Sequence, residues 1–173
     1  MLRASIQTPI QRAASLDIIL EAVRSLGQTY LKSLGEAESP FGFQLTPKGN
    51  YFLSEIIVPL NNRKEILRAL DLLVGLDRIF LQANRVPPLY QSGIEYGKAG
   101  KLAWYTTPLL YKKKKGDCKD LAAHRVAELQ LMGEPAKIHL VQVNPRLWHV
   151  QVARGDGRIE DPSKKLGMGR HAA

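Results

Sequence analysis

The sequence contains a single cysteine, Cys118, among its 173 residues. One cysteine excludes an intramolecular disulfide, so we expect a reducing compartment and a thiol that is free for chemistry. A long hydrophobic run is also missing, because charged residues such as Asp71 and Asp77 interrupt the best candidates for a membrane span. The sequence has no internal repeat and no coiled-coil heptads. These absences predict a soluble, cytoplasmic globular protein.

The sequence has fewer acidic than basic residues: 16 aspartates and glutamates and 25 lysines and arginines, which gives a formal net charge of +9. Such an excess favours an acidic partner, either nucleic acid or an anionic protein surface. Four lysines at residues 112–115 form the only uninterrupted basic run. This run is either a solvated loop, since it lacks the interleaved aromatics that stack on bases, or a group of charges that stabilises the thiolate of Cys118.

The cysteine stands at the predicted start of a helix. Asp117 is a favourable N-cap, and Gly133 and Pro135 end the helix. Between them, apolar residues recur at the spacing of one helical face: Leu121, Ala122, Val126, Leu129 and Met132. A thiol at this position faces the positive end of the helix dipole and free backbone N–H groups. We therefore expect a stabilised thiolate at Cys118 and N–H groups that can hold an oxyanion.

A nucleophilic thiolate needs a base, and the sequence offers one downstream of the helix. Residues 137–143 and 147–153 are rich in β-forming residues and predict a hairpin whose second strand carries His149. His139, in the first strand, is the rival base. The downstream aspartate described next favours His149.

The base needs an orienting group, which the next turn supplies. A Gly-Asp-Gly turn at residues 155–157 returns the chain, and Pro162 ends the pairing. Folding the turn back brings Asp161 within about two positions of opposing His149, close enough for contact between strands. The predicted catalytic residues are therefore Cys118, His149 and Asp161.

The order of cysteine on a helix start, histidine on a strand and aspartate on the next strand resembles the transglutaminase-like, papain-like superfamily of cysteine enzymes. The matching segments are GDCKDLAA at residues 116–123, WHV at residues 148–150 and EDPS at residues 160–163. Residues 88–93 and 166–168 further resemble small transglutaminase-like proteins encoded in phage and prophage gene clusters. Lys119 stands where that family more often has an acidic residue, which alters the charge beside the thiol.

The resemblance implies an α+β fold in which the helix of the cysteine packs on an antiparallel sheet that carries the histidine and the aspartate. It implies a cysteine-dependent enzyme that acts on carboxamide or peptide bonds through a thioester, either a peptidase or amidase or a cross-linking transglutaminase. No cofactor is implied, and the substrate is a protein or peptide amide. An upstream aromatic, for which Trp104 is the candidate, would line the acyl pocket or donate to the oxyanion; ordinary aromatic packing is the equal alternative.

Other interpretations of the same residues remain open. The chain could be a non-catalytic structural or assembly protein of a phage particle that keeps the fold and binds other phage proteins or another acidic partner. Cys118 would then be a buried, inert residue. We expect His124 to be a surface residue, because it lies about 120° around the helix from the thiol. We expect no metal, because closely spaced ligand pairs are absent.

The predicted organisation has four parts. Residues 1–14 form an N-terminal arm, and residues 15–88 form a mainly helical region that packs on the core. Residues 89–167 hold the Cys-His-Asp core, and residues 168–173 are a tail. The mainly helical region is expected to contain a helix starting at Ser15, a loop over residues 39–50, a strand over residues 51–58 and a helix capped by Asn61 or Asn62.

Overall fold

A computed structural model describes residues 42–48, 51–57, 63–98, 104–145 and 147–169 of the chain. These residues form an α+β structure of helices and small sheets, as the sequence predicts. The predicted arm and the helix expected from Ser15 lie outside the described residues, as do both candidate caps, Asn61 and Asn62. None of the described helices is long and apolar enough to cross a membrane.

The first described element is a β-hairpin. Strand β1, Gly42–Lys48, pairs antiparallel with strand β2, Tyr51–Ile57, and the last pair in register is Lys48 with Tyr51. The strand predicted over residues 51–58 is confirmed, but the loop predicted over residues 39–50 is wrong for β1. The sequence Gly-Asn between the two strands is typical of a two-residue hairpin turn. The two prolines of the region favoured a loop instead.

Helix α1, Arg63–Ala83, supplies one side of the core. Its apolar residues recur every three or four positions, as expected for a helix with one buried face. Those buried are Ile66, Ala69, Leu70, Leu72, Leu73, Val74 and Leu76. Asp71 is exposed, whereas Asp77 is fully buried. The helix ends at Ala83, before the Pro87-Pro88 pair.

Short elements organise the segment between α1 and the cysteine. A 3-10 helix, Leu89–Gln91, precedes strand β3, Glu95–Tyr96. Helix α2, Thr107–Lys113, carries Pro108 in its first turn, a position at which proline fits the helix. Strand β4, Lys115–Gly116, then pairs in parallel with β3.

Helix α3, Cys118–Leu131, begins at the cysteine, as predicted. Asp117 is its N-cap, and a reciprocal bond from the Asp117 N–H to the Asp120 carboxylate completes a capping box. Gly133 adopts a positive φ of 80°, the conformation that ends many helices. Met132 was predicted to be on the buried face and is 64% exposed, because the helix ends one residue before it.

The predicted second hairpin is confirmed and extended into a three-stranded antiparallel sheet. Strand β5, Ala136–Asn144, pairs with β6, Leu147–Arg154, which pairs with the short β7, Ile159–Glu160. Helix α4, Pro162–Lys165, follows at once. Strand β6 is therefore central, with the turn of residues 155–157 leading into β7 as expected.

One core joins α1, α3 and the sheet. Side chains of α1 and α3 share a buried cluster with Leu140, Val150 and Val152 on one face of the sheet. Each fully buried side chain of this kind contributes about 1.5 to 3 kcal/mol of transfer free energy. A second cluster, which includes Leu89, Ile94, Leu110 and Leu121, lies under the short elements that precede the cysteine. The α1 helix of the predicted N-terminal region thus packs on the helix that carries Cys118.

Candidate active site

Cys118 occupies the first position of α3, beside the open part of the sheet. Its side chain is partly buried against the main core, and the N–H of Val150 in β6 donates a hydrogen bond to its sulfur. The chain therefore folds the start of α3 against the strand residue that follows His149. This contact spans 32 residues of sequence.

The open edge of β6 explains how the thiol reaches Val150. The N–H of Arg154 bonds to Arg158 on the β7 side of the strand. N–H groups of a strand alternate between its two edges, so the N–H of Val150 points to the same side as that of Arg154. Because β7 ends at Glu160, it does not extend far enough to pair with Val150. The N–H of Val150 therefore lies at a part of the edge that β7 does not pair with, where it lowers the pKa of the Cys118 thiol.

His149 and Asp161 are joined directly. The Nε2 atom of His149 lies 2.9 Å from Oδ2 of Asp161. The last pairs of the sheet, Ala153 with Ile159 and Val152 with Glu160, continue to Gln151 with Asp161. Asp161 thus stands two positions from opposing His149, as predicted, and both side chains point to the sheet face opposite Val150 and Val152.

Two further donors hold the Asp161 carboxylate. Gln151 donates through Nε2 to Oδ2 at 3.1 Å, and the Lys164 N–H donates to Oδ1 at 3.1 Å as part of the N-cap of α4. Burial alone would raise the pKa of Asp161, but the hydrogen bonds from His149, Gln151 and Lys164 outweigh it and hold the pKa below its usual value. The carboxylate is therefore charged at neutral pH and oriented from three sides.

The thiol of Cys118 is neutral in this setting, and the expected preformed thiolate is wrong. Burial raises its pKa to about 11, and the charge of Asp117 adds to the rise. The Val150 N–H and the Lys119 ammonium lower it by less. The helix dipole favours the thiolate, but the desolvation of a half-buried sulfur is the larger effect.

Lys119 supplies a positive charge beside the thiol. Its ammonium pairs with Asp117 and lies 3.8 Å from Asp120, so it offsets the two carboxylates at the start of α3. The four lysines of residues 112–115 are exposed. Two of them contact aromatic rings: Lys113 lies 4.9 Å from the Tyr105 ring centroid and Lys114 lies 5.4 Å from that of Tyr111. The Lys119 ammonium lowers the pKa of the Cys118 thiol.

Tyr96 is a site residue that sequence reasoning missed. Burial raises the pKa of its hydroxyl, and the charges of Cys118, Asp117 and Asp161 raise it further, so the hydroxyl lies within electrostatic reach of both ends of the predicted triad. Its backbone is fixed by an N–H to Leu166 bond of 2.8 Å and by pairing with Gly116. A two-residue parallel strand has no periodicity that a sequence pattern could reveal.

Trp104 lies in the main core and is 2% exposed. The Lys119 ammonium lies 5.9 Å from the centroid of its ring, which brings the indole near the start of α3. Packing accounts for its burial. A role for Trp104 in an acyl pocket or an oxyanion site stays a prediction.

His124 was predicted to be on the surface and is fully buried. Its Nδ1 lies 2.8 Å from Oγ1 of Thr107, and Thr107 donates its N–H to the buried carboxylate of Asp77 at 2.6 Å. Burial lowers the pKa of His124 to about 3 and raises that of Asp77 to about 7. These hydrogen bonds link α1, α2 and α3 inside the protein, and the imidazole lies fully buried between the three helices.

The rival base His139 pairs with Gln151 across the hairpin, whereas His149 pairs with Val141. His139 lies on β5, whereas His149 precedes Val150 on β6, and the hydrogen bond to Asp161 belongs to His149. His171 lies outside the described residues. Within the described ranges, no group of three or more histidine, cysteine or acidic side chains is arranged to hold a metal ion.

In comparisons with models of protein families, with curated proteins and with solved structures, the chain matches none of them.

Proposed function

We propose that the protein is a cysteine-dependent acyl-transfer enzyme that acts on carboxamide or peptide bonds, with a core of the transglutaminase-like kind. Cys118 is the nucleophile, His149 the base and Asp161 the group that orients the base. The observation that supports this proposal is the hydrogen bond between His149 and Asp161. The residue after His149, Val150, is also the one whose backbone lowers the pKa of the Cys118 thiol.

The neutral thiol defines what His149 must do. Because the pKa of Cys118 is about 11, the proton leaves the sulfur as the S–C bond to the carbonyl carbon forms, and the imidazole accepts it. With Nε2 turned to Asp161, Nδ1 is the ring nitrogen left for this proton. The Asp161 carboxylate then stabilises the imidazolium. His149 returns the proton to the departing amine, which leaves a thioester on Cys118.

The start of α3 provides a candidate oxyanion donor. Its capping box uses the N–H groups of Asp117, Lys119 and Asp120. The N–H of Cys118 itself is not part of the box, and it sits beside the sulfur at the positive end of the helix. A tetrahedral oxyanion formed on the sulfur would lie within reach of this donor.

The thioester has two fates. Attack by water would release an acid and make the protein a peptidase or an amidase, whereas attack by a lysine amine would form a cross-link. Each route restores the thiol with the proton that His149 takes from the attacking group. Incubation with a library of peptide amides and a primary amine, followed by mass analysis of the products, distinguishes the two.

Alkylation of the thiol tests the proposal most directly. Iodoacetamide reacts with thiolate, so labelling near neutral pH at a rate above that of a buried thiol of pKa about 11 requires a neighbouring base. We expect His149→Ala to abolish the fast labelling of Cys118 at neutral pH. His139→Ala is the matched control, because His139 lies on the other strand of the same hairpin, β5, and does not hold Asp161; this variant should leave the rate unchanged.

A non-catalytic structural or assembly role is the second candidate, favoured by one specific observation. The half-buried sulfur and its raised pKa are properties of an inert structural cysteine. Slow labelling that is the same in wild type and His149→Ala would support this candidate and would overturn the enzymatic one.

A further inference from the structure

Glu160, the residue before Asp161, is a buried carboxylate at the centre of an ionic cluster. Its side chain is 4% exposed. Arg125 donates from Nε to Oε1 at 2.9 Å, and Arg154 donates from Nη1 to Oε2 at 2.8 Å. The Tyr90 hydroxyl also donates to Oε1, and the Lys165 ammonium lies 3.4 Å from that atom. Both carboxylate oxygens are therefore occupied.

The two arginine donors come from the elements that carry Cys118 and His149. Arg125 belongs to α3, which begins at Cys118, and Arg154 belongs to β6, which carries His149. Glu160 itself ends β7 and is bonded covalently to Asp161. One carboxylate thus connects the helix of the nucleophile, the strand of the base and the backbone of the orienting acid.

The cluster is balanced in charge, which allows the carboxylate to stay buried. Arg125 also bonds to Glu128, and Arg154 also bonds to Glu134. The cluster thus holds three cations and three carboxylates: Arg125, Arg154 and Lys165 with Glu128, Glu134 and Glu160. Burial alone would raise the pKa of Glu160, but the bonds from Tyr90 and Arg125 outweigh it, and the pKa falls to about 2. The ionic contacts persist throughout the neutral range.

We infer that Glu160 is a positioning residue for the candidate active site: its carboxylate fixes the end of β7 against α3 and β6, and so aligns Asp161 with His149. This inference depends on the proposed function for its catalytic meaning. The backbone alone supplies little alignment here, because β7 has only two residues and Asp161 lies beyond its last pair. Without the cluster, the Asp161 carboxylate would be displaced from the imidazole, and misplacement by about 1 Å lowers rates about 100-fold.

The test compares Glu160→Gln with wild type. Glutamine keeps the shape of the side chain and removes the charge that Arg125 and Arg154 require. We expect the second-order rate of alkylation at Cys118 to fall about 10-fold to 100-fold at neutral pH. We also expect the ¹⁵N and ¹H signals of the His149 ring to lose the signature of its hydrogen bond to Asp161, while circular dichroism at low temperature stays native.

Asp156→Asn is the matched control. Asp156 lies in the same β6–β7 hairpin and pairs with Arg158, yet it does not contact Glu160. Its variant loses an ion pair of the hairpin and should keep both the alkylation rate and the His149 signals. An equal loss in both variants would overturn the inference, because it would show a general response of the hairpin.

The readouts separate the failure of this inference from that of the proposed function. Unchanged His149 signals and an unchanged rate in folded Glu160→Gln would overturn the positioning role, whatever the reaction. If wild type shows no His149-dependent alkylation, the proposed function fails, and the ring signals still measure the alignment. If Glu160→Gln does not fold, Arg154→Lys takes its place, because the single ammonium group of lysine cannot bond to Glu134 and Glu160 as the guanidinium group does. Wild-type signals of the His149 ring in Arg154→Lys would overturn the inference.

Discussion

The Nε2 atom of His149 lies 2.9 Å from the Oδ2 atom of Asp161, across twelve residues of sequence and one tight turn. The bond orients the imidazole with its Nε2 atom towards the carboxylate, and it leaves the Nδ1 atom without this partner and available for proton transfer. The backbone of Val150, the residue after His149, lowers the pKa of the Cys118 thiol, so the start of α3 meets β6 next to the base. The chemistry that we propose depends on this geometry.

The first prediction concerns Asp161→Asn. Asparagine is also a good N-cap and can still accept from the Lys164 N–H, so we expect α4 and the free energy of unfolding to change little. It cannot stabilise an imidazolium, so we expect the fast alkylation of Cys118 to slow about 100-fold or more. Stopped alkylation followed by mass analysis measures the rate. A rate within twofold of wild type would remove Asp161 from the mechanism.

The second prediction concerns Gln151→Leu. Gln151 donates to the same oxygen as His149, so its loss leaves the carboxylate one donor short and less restricted in orientation. A hydrogen bond of about 1 kcal/mol corresponds to about fivefold in rate, and we expect a loss of that size at Cys118. Gln142→Leu, an exposed position on β5, is the control and should react like wild type. Equal rates in both variants would show that Gln151 does not support the site.

The sequence predicted the parts of the site whose signals are local. The N-cap at Asp117, the glycine that ends α3 and the turn of residues 155–157 each depend on a few neighbouring residues, and the register of a hairpin follows from its turn. Those rules were enough to bring His149 to Asp161. They also predicted the helix that begins at Cys118.

The remaining features depend on contacts between distant segments. His124 is buried because α2 supplies Thr107 as a partner, and no pattern within α3 indicates that. The neutral thiol results from burial against β6, which outweighs the local effect of the helix start. Tyr96 reaches the site through a parallel pair with Gly116, and such pairs carry no short-range signal.

The third prediction concerns the pH dependence of His124. Its folded pKa is about 3 and its ordinary value is 6.5, so the folded protein keeps it neutral while the unfolded chain takes up a proton below pH 6.5. The stability that it contributes is complete above pH 6.5 and is lost as the pH falls. We expect the free energy of unfolding of wild type, relative to His124→Gln, to drop by about 1.4 kcal/mol per pH unit below that point. Urea unfolding of both proteins between pH 4 and 7 measures the difference, and a constant difference would contradict the burial of a neutral imidazole.

The fourth prediction concerns Gly116, two residues before the nucleophile. A Cβ atom at this position would lie 2.4 Å from Cδ1 of Leu110, inside the second core cluster. Gly116→Ala should therefore lower the free energy of unfolding by about 1 to 3 kcal/mol. It should also slow alkylation, because the strain falls on the strand that leads into Cys118.

Gly133→Ala is the comparison for that variant. A Cβ there meets no atom within 4 Å, and its cost is the strain of a positive φ alone, about 1 kcal/mol. It lies at the far end of α3 and should leave the thiol chemistry intact. Thermal unfolding and alkylation of the two variants separate steric strain from conformational strain. Slow alkylation of Cys118 in Gly133→Ala would show that strain at the far end of α3 also reaches the thiol.

The last prediction concerns the hydroxyl of Tyr96. Burial raises the pKa of this hydroxyl and the charge of a Cys118 thiolate raises it further, so at neutral pH the hydroxyl is protonated and lies within electrostatic reach of the sulfur. Tyr96→Phe removes that donor and keeps the ring, so we expect a developing thiolate to be less stable and alkylation to slow about fivefold. Tyr111→Phe is the control, since its hydroxyl donates to the Pro87 carbonyl and its loss should lower stability without changing the rate. Ultraviolet titration of the thiolate decides the matter: a thiol pKa that does not rise in Tyr96→Phe would mean that the hydroxyl does not act on the sulfur.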